Sequence, residues 1–506
     1  MWSRTSTRSF ACIASLSAAL LFFLVGCEPS DPPEPAAEQE APDFLVAHML
    51  DADGQPVFAD GEARFEDMSH VMHGTSMIGG ISRGSEMGHP NYDEELAGDP
   101  QAQRGRDWLA SISILERFFS EDGRLHARVD AQTGRPVEQD EAATPADLRL
   151  YSPATYAYHI HHRGDRWADH GLEDAITYNN TTYYADMGRY LLDAHTNNGR
   201  IAHDADHEQV DLESMSHGGA ALHAHVYAWV RWDKPGGADD MGQLSEEHLA
   251  RWLHYTPDDL VEEARQQAAV WDSWWDDELG AYHDGTESEG AVTMDLATLG
   301  ALVHAHKSWY EILHIFGTDA DREEARQLFE RSAHMLDAAL DLAEPWGMPA
   351  AIRFEDGAAH AASDTMSTQA LWTFVNHLTG GFSYAREREG TAQYITNQRP
   401  ELMDAINAFT DQQLQGALDY QMHNGQLVTA LDMETGEVAD DTVRAAPIGI
   451  FLTAAGNAYS NGTAFASASD WDDVEEEVAA RSETLYDALL AHAELLEDAF
   501  RVPAAD

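Results

Sequence analysis

Cysteine is almost missing from the 506 residues, with Cys12 and Cys27 the only two. Two thiols exclude a disulfide framework and any Cys-rich zinc or haem site. Lysine is as scarce, at Lys234 and Lys307, and 30 basic residues face 89 acidic ones for a formal net charge of −59. So much negative charge repels phosphates, which makes nucleic acid and anionic membrane surfaces poor partners. No Gly-rich phosphate loop precedes a helical segment, and HExxH does not occur. What the chain does have is 43% hydrophobic and 9% aromatic content. That is enough to bury a large core and excludes global disorder. The length fits roughly two to four ordinary domains or one large closed architecture.

The first 26 residues read as a signal peptide, with Arg4 and Arg8 as its positive start and Ala11 to Val25 as its apolar run. The run ends Leu24-Val25-Gly26-Cys27, which resembles the lipobox of bacterial lipoproteins. The resemblance implies cleavage before Cys27, acylation of its thiol, and membrane contact only through that anchor. Cys12 would leave with the peptide, so cysteine catalysis is excluded. Glu28 rather than Asp after the cysteine implies, by the same resemblance, the outer membrane of the cell envelope. Residues 27–44 are acidic, Pro-rich and read as a tether. Residues 45–506 are expected to form a single domain. Loss of Arg4 and Arg8 leaves 28 basic against 89 acidic residues, or −61. Such a surface suits high ionic strength, where salt screens self-repulsion; a cation-binding protein is the other reading.

Small-residue-rich, charge-poor segments recur near Met68, Asp147, Ser214, Thr293, Thr365 and Thr442, at intervals of 67 to 79 residues. Ala, Gly, Ser and aromatics on all sides mark helices buried all round. Charged, amphipathic stretches alternate with them: 106–119, 173–194, 258–276, 321–342, 401–420 and 474–499. In the fourth of these, Ala325, Leu328, Ala333, Leu336, Leu340 and Leu342 approximate one apolar face. One buried and one surface helix per period, six times over, predicts an all-α fold, an (α/α)6 toroid of six inner and six outer helices. An open helical array or two bundles is the alternative. Turns such as Asn198-Gly199, Gly280 and Asn424-Gly425 follow the surface helices and start short extended pieces. These β-hairpins, and the long loops holding them, then fall on one face. Long loops on one mouth of a rigid scaffold are where a site is expected.

Architecturally the pattern resembles the toroids of glycoside hydrolases, some polysaccharide lyases and the N-acylglucosamine 2-epimerase group. The 274–283 segment, WWDDELGAYH, is similar to the aromatic–acid–Gly–aromatic turn of such barrels. No signature selects one family. The candidate catalytic carboxylates are those at inner-helix starts, Asp295, Asp364 and Asp441, with Glu355 behind them; two would serve as general acid and base. Helix capping is the competing role for each. Candidate substrate-binding residues at the mouth are Arg124, His126, Arg200, His203, His217, His283, Trp346, Arg353 and Arg444. The arginines suit a uronate or other anion, and Trp346 suits stacking on a sugar ring. The i,i+2 pairs His223/His225 and His304/His306 point to different helix faces and do not chelate. His70 and His73, with His217, begin inner helices. Trp229, Trp232, Trp309 and Trp372 read as core. No metal site and no cofactor is expected, although the acidic, His-rich composition leaves room for a divalent cation. The expectation is a monomeric, surface-anchored carbohydrate-active enzyme acting on an oligo- or polysaccharide. Its rival is a non-enzymatic lipoprotein binding a ligand, cation or protein on the same scaffold.

Overall fold

The computed structural model describes residues 44–79, 111–120, 124–137, 195–203, 208–222, 255–285, 290–382, 399–460 and 476–503, with 145, 226 and 229 as single positions. The signal peptide, Cys27, nearly all of the tether, the second inner helix expected near Asp147, the outer stretch 173–194, His223/His225 and Trp232 lie outside them.

Nine longer α-helices are described: α1 (Phe65–Gly79), α2 (Leu212–Ala221), α3 (Pro257–Trp274), α4 (Leu296–Phe316), α5 (Asp319–Leu340), α6 (Thr368–Phe382), α7 (Pro400–Gly416), α8 (Ala445–Ser460) and α9 (Glu476–Leu495). They fall into the two classes that the composition predicts. In α4 every residue from Leu296 to Leu313 is buried, whereas α5 buries one stripe that includes Ala325, Leu328, Phe329, Ala333 and Leu336. The inner helices α1, α8, α6, α4 and α2 pack in that spatial order. The outer helices α3, α5, α7 and α9 cover them, and a 3-10 segment, Ser111–Phe118, stands in the stretch 106–119. The fold is mostly helical and of the (α/α)6 toroid type.

Small residues let the inner helices come this close. A Cβ on Gly74 of α1 would lie 2.3 Å from the Gly449 carbonyl oxygen of α8, and one on Gly449 would lie 2.5 Å from the His70 carbonyl carbon. Gly219 against Ala305 joins α2 to α4 in the same way, and Gly300 against Phe374 joins α4 to α6. Since α1 is the first inner helix and α8 the last, their contact brings the two ends of the repeat together. Three further features tie the ends. Strand Phe44–Val46 pairs antiparallel with Arg501–Pro503, a bridge joins Met49 to Arg444, and α1 packs on α9.

The strands follow the repeat. The one entering an inner helix pairs with a strand of the next connection: Glu62–Arg64 with Arg128–Asp130, Ala291–Asp295 with Ala351–Glu355, and Thr365–Ser367 with Ala430–Asp432. These sheets therefore gather at the N-terminal ends of the inner helices. Asn198 (φ 51) with Gly199 (φ 74), and Asn424 (φ 53) with Gly425 (φ 79), supply the left-handed turns of the small hairpins. Capping fixes the helix starts. Thr256 with Asp259, Thr318 with Asp321, and Asp211 with Ser214 each form a reciprocal box, worth about 1 kcal/mol per cap.

Two expectations need correction. Helices α4, α6 and α8 begin about three residues after Thr293, Thr365 and Thr442, because those threonines lie in the strands or turns that enter them. Asp364 and Asp441 consequently cap no helix, whereas Asp295 is the N-cap of α4. No described helix is long and apolar enough to cross a membrane.

Candidate functional site

The mouth is the end of the ring where the inner helices begin. Helix α1 brings Glu66, His70 and His73 along one stripe, four and three residues apart. Glu66 lies 3.8 Å from His70 Nε2 and is 25% exposed. The Gln369 amide of α6 donates to Glu66 Oε1. Because α8 lies between α1 and α6, that hydrogen bond spans the inner side of the ring. His73 lies deeper, with Nδ1 3.4 Å from the Thr453 hydroxyl of α8. Burial, and then the neighbouring His70, push its pKa down to about 3, so it is neutral.

A second group stands where α2 meets α4. His217 is buried, with Nε2 3.4 Å from the Thr298 hydroxyl. That hydroxyl donates to Asp295 Oδ2 at 3.0 Å, and the Thr298 N–H donates to Oδ1 at 2.7 Å. Asp295 thus fills the capping role, with both of its oxygens engaged by Thr298. Beside it, His203 Nε2 donates to Asp211 Oδ2 at 2.7 Å, and Glu213 lies 3.8 Å away. Burial works against the Asp211 carboxylate, yet the hydrogen bonds from His203 and Ser214 prevail and hold its pKa below the usual range.

The other expected residues are placed as follows. Asp364 and Asp441 are exposed on the rim. Arg353 is exposed and pairs with Glu355 on the same strand at 3.0 Å; Arg444 lies 3.6 Å from Asp440. Arg124 and Arg200 are exposed beside their turns. His126 is buried, with Nε2 3.2 Å from the Ser120 hydroxyl. His283 Nδ1 accepts the Gly285 N–H at 3.1 Å. Trp346 is half-buried, edge-on to Tyr420 with centroids 6.0 Å apart. His126, His203 and His283 are thus each tied to their own hairpin or the helix start beside it, while His217 reaches a neighbouring helix.

Within α4 the i,i+2 histidines diverge as expected. His304 turns to α6, where its Nδ1 lies 3.0 Å from His377 Nδ1, so one proton is shared between two imidazoles. His306 turns outward into an aromatic nest, 4.8 Å from the Trp271 ring and 5.2 Å from Tyr282. Trp275 pairs across its hairpin with Tyr282, and Gly280 (φ 62) makes the turn of the 274–283 segment. Among the described residues, no group of three or more His, Cys, Asp or Glu is arranged to hold a metal ion.

Glu66 and Gln369 escaped the sequence reading. One acidic residue among 89 is inconspicuous, and the only signal was the i,i+4 spacing of Glu66 and His70.

No family model matches the sequence. A search of the curated proteins likewise finds no match. Among solved structures, a D-mannose isomerase aligns with 11% identity and a TM-score of 0.44 over 83% of this chain and 90% of its own. A cellobiose 2-epimerase from Bacillus thermoamylovorans aligns with 12% identity and a TM-score of 0.43, over 82% and 93%. An endo-β-1,4-glucanase from Acetobacter xylinum aligns with 11% identity and a TM-score of 0.38, over 76% and 98%.

Proposed function

We propose that the protein is a carbohydrate-active enzyme that converts a neutral oligosaccharide by acid/base chemistry at the mouth of the toroid. The observation that carries this reading is the partly exposed Glu66, hydrogen-bonded by Gln369 of α6 and neighboured by His70. Such a carboxylate is oriented by its surroundings and still reachable, as a general acid or base must be. His217 is the complementary proton carrier, its imidazole turned to the hydroxyl that Asp295 fixes. Asp364 and Asp441 would contact sugar hydroxyls from the rim. Arg353 and Arg444 already lean on Glu355 and Asp440, which favours a neutral sugar over a uronate. Lipidation at Cys27 would hold the enzyme at the cell envelope, and a Cys27→Ala variant would then escape fatty-acid labelling.

The test is a panel of neutral and anionic oligosaccharides followed by NMR, which detects hydrolysis and epimerisation alike. Product from a neutral sugar is expected. Uptake of a sugar or cation without any product would instead favour a binding protein.

A further inference from the structure

The outer wall carries a second concavity. A groove of about 400 Å³ opens between α7 and α9, lined by Pro345, Asp411, Gln412, Gln415, Tyr420 and Arg481. That volume suits a small ligand, and none of the mouth residues lines it. Its most exposed large apolar group is Tyr420, with 42% of its surface open to solvent. Large apolar side chains left this open are rare here; Val438 is the other among the described residues.

The groove is backed by a fixed wall. Gly416 lets α7 press on the Pro345–Trp346 turn, since a Cβ there would lie 2.2 Å from the Pro345 carbonyl oxygen. Trp346 stands edge-on behind Tyr420 with centroids 6.0 Å apart. It is wedged in place by Gly436, where a Cβ would come 2.9 Å from its ring. Gln421 holds the turn by donating to the Trp346 carbonyl at 3.2 Å. Sequence reading marked Trp346 for sugar stacking, but its half-buried ring supports Tyr420, which is the aromatic presented outward.

We infer that this groove is a second, non-catalytic binding site for a neutral glycan chain, with Tyr420 as its platform. A pyranose has an apolar face for the ring and hydroxyls for the rim. Along one side of the groove Gln415 donates to Asp419 Oδ2 at 2.8 Å, and Gln412, Asp411 and Arg481 add polar groups of both kinds to its lining. A chain this acidic repels polyanions, which selects a neutral glycan. The ligand class rests on the carbohydrate reading above, whereas the site's position does not.

Affinity electrophoresis through gels containing β-glucan, mannan, xylan or alginate tests the inference, alongside turnover of a short soluble oligosaccharide. Retardation of the wild type in a neutral gel is expected. Tyr420→Ala and Gln412→Ala should each weaken it about tenfold with turnover unchanged. Both side chains lie at the surface, so folding is retained, which a melting curve confirms. Turnover without retardation in any neutral gel overturns the second site and leaves the enzyme reading intact. Equal retardation of wild type and variants, or retardation by alginate alone, also overturns it. Tyr420-dependent retardation without turnover on any sugar upholds the site and removes the enzyme reading.

Discussion

His306 provides a quantitative probe of the packed interior. It is buried between Trp271 and Tyr282. Desolvation, followed by the nearby Arg331 charge, lowers its pKa from 6.5 to about 3. The unfolded chain binds a proton at this histidine near pH 6.5, while the folded chain refuses it until about pH 3. Stability from the neutral imidazole is therefore full above pH 6.5 and is lost progressively as pH falls towards 3. Between pH 7 and pH 5 the linkage amounts to about 2 kcal/mol. His306→Asn keeps a polar group of similar reach and cannot titrate. Urea unfolding of wild type and variant at both pH values separates this effect from every other ionisation. The variant should lose about 2 kcal/mol less than the wild type on going from pH 7 to pH 5. Equal losses would refute the reasoning, as would an NMR titration that protonates His306 above pH 5.

Gly74→Ala should destabilise by about 1–2 kcal/mol, seen as a lowered Tm. Overpacking against the Gly449 carbonyl outweighs the roughly 1 kcal/mol that alanine gains in a helix. Lys307 and Glu311 form a buried ion pair at 3.0 Å, so Lys307→Met alone should cost about 3–5 kcal/mol by leaving a charge unmatched. Adding Glu311→Leu should recover most of that in denaturant unfolding. Asp67 runs opposite to His306: burial raises its pKa to about 6 against the opposing His48. Its proton therefore stabilises the fold at low pH, an effect lost as pH rises through 6, and Asp67→Asn should remove that slope from the pH dependence of Tm.

The helical plan was legible because its cause is local. Inner helices must approach closely, close approach demands Gly, Ala and Ser, and those residues mark the repeat in the one-dimensional chain. The opposite faces of His304 and His306 followed from the 3.6-residue turn alone. The starts of α4, α6 and α8 were less legible. Thr293-Met294-Asp295 and Thr365-Met366-Ser367 look like helix entries, but their backbone groups are taken by strands from the next connection. Pairing of residues some sixty positions apart leaves no local trace, and it moved Asp364 off the helix end; before α8, Arg444 bridges to the still more distant Met49, so the helix starts beyond Asp441. The contact between Glu66 and Gln369 was hidden for the same reason, since it depends on the ring bending round.

The proposed reaction rests on Glu66 and His217 as proton-transferring groups of the mouth, and steady-state kinetics of Glu66→Gln and His217→Gln on the neutral sugar that the wild type converts tests them most directly. Each substitution should lower kcat by about 10²–10⁴, the contribution of one acid/base group, with KM and the melting temperature little changed. Wild-type kcat in either well-folded variant would contradict the assignment of that residue, and in both it would contradict the site.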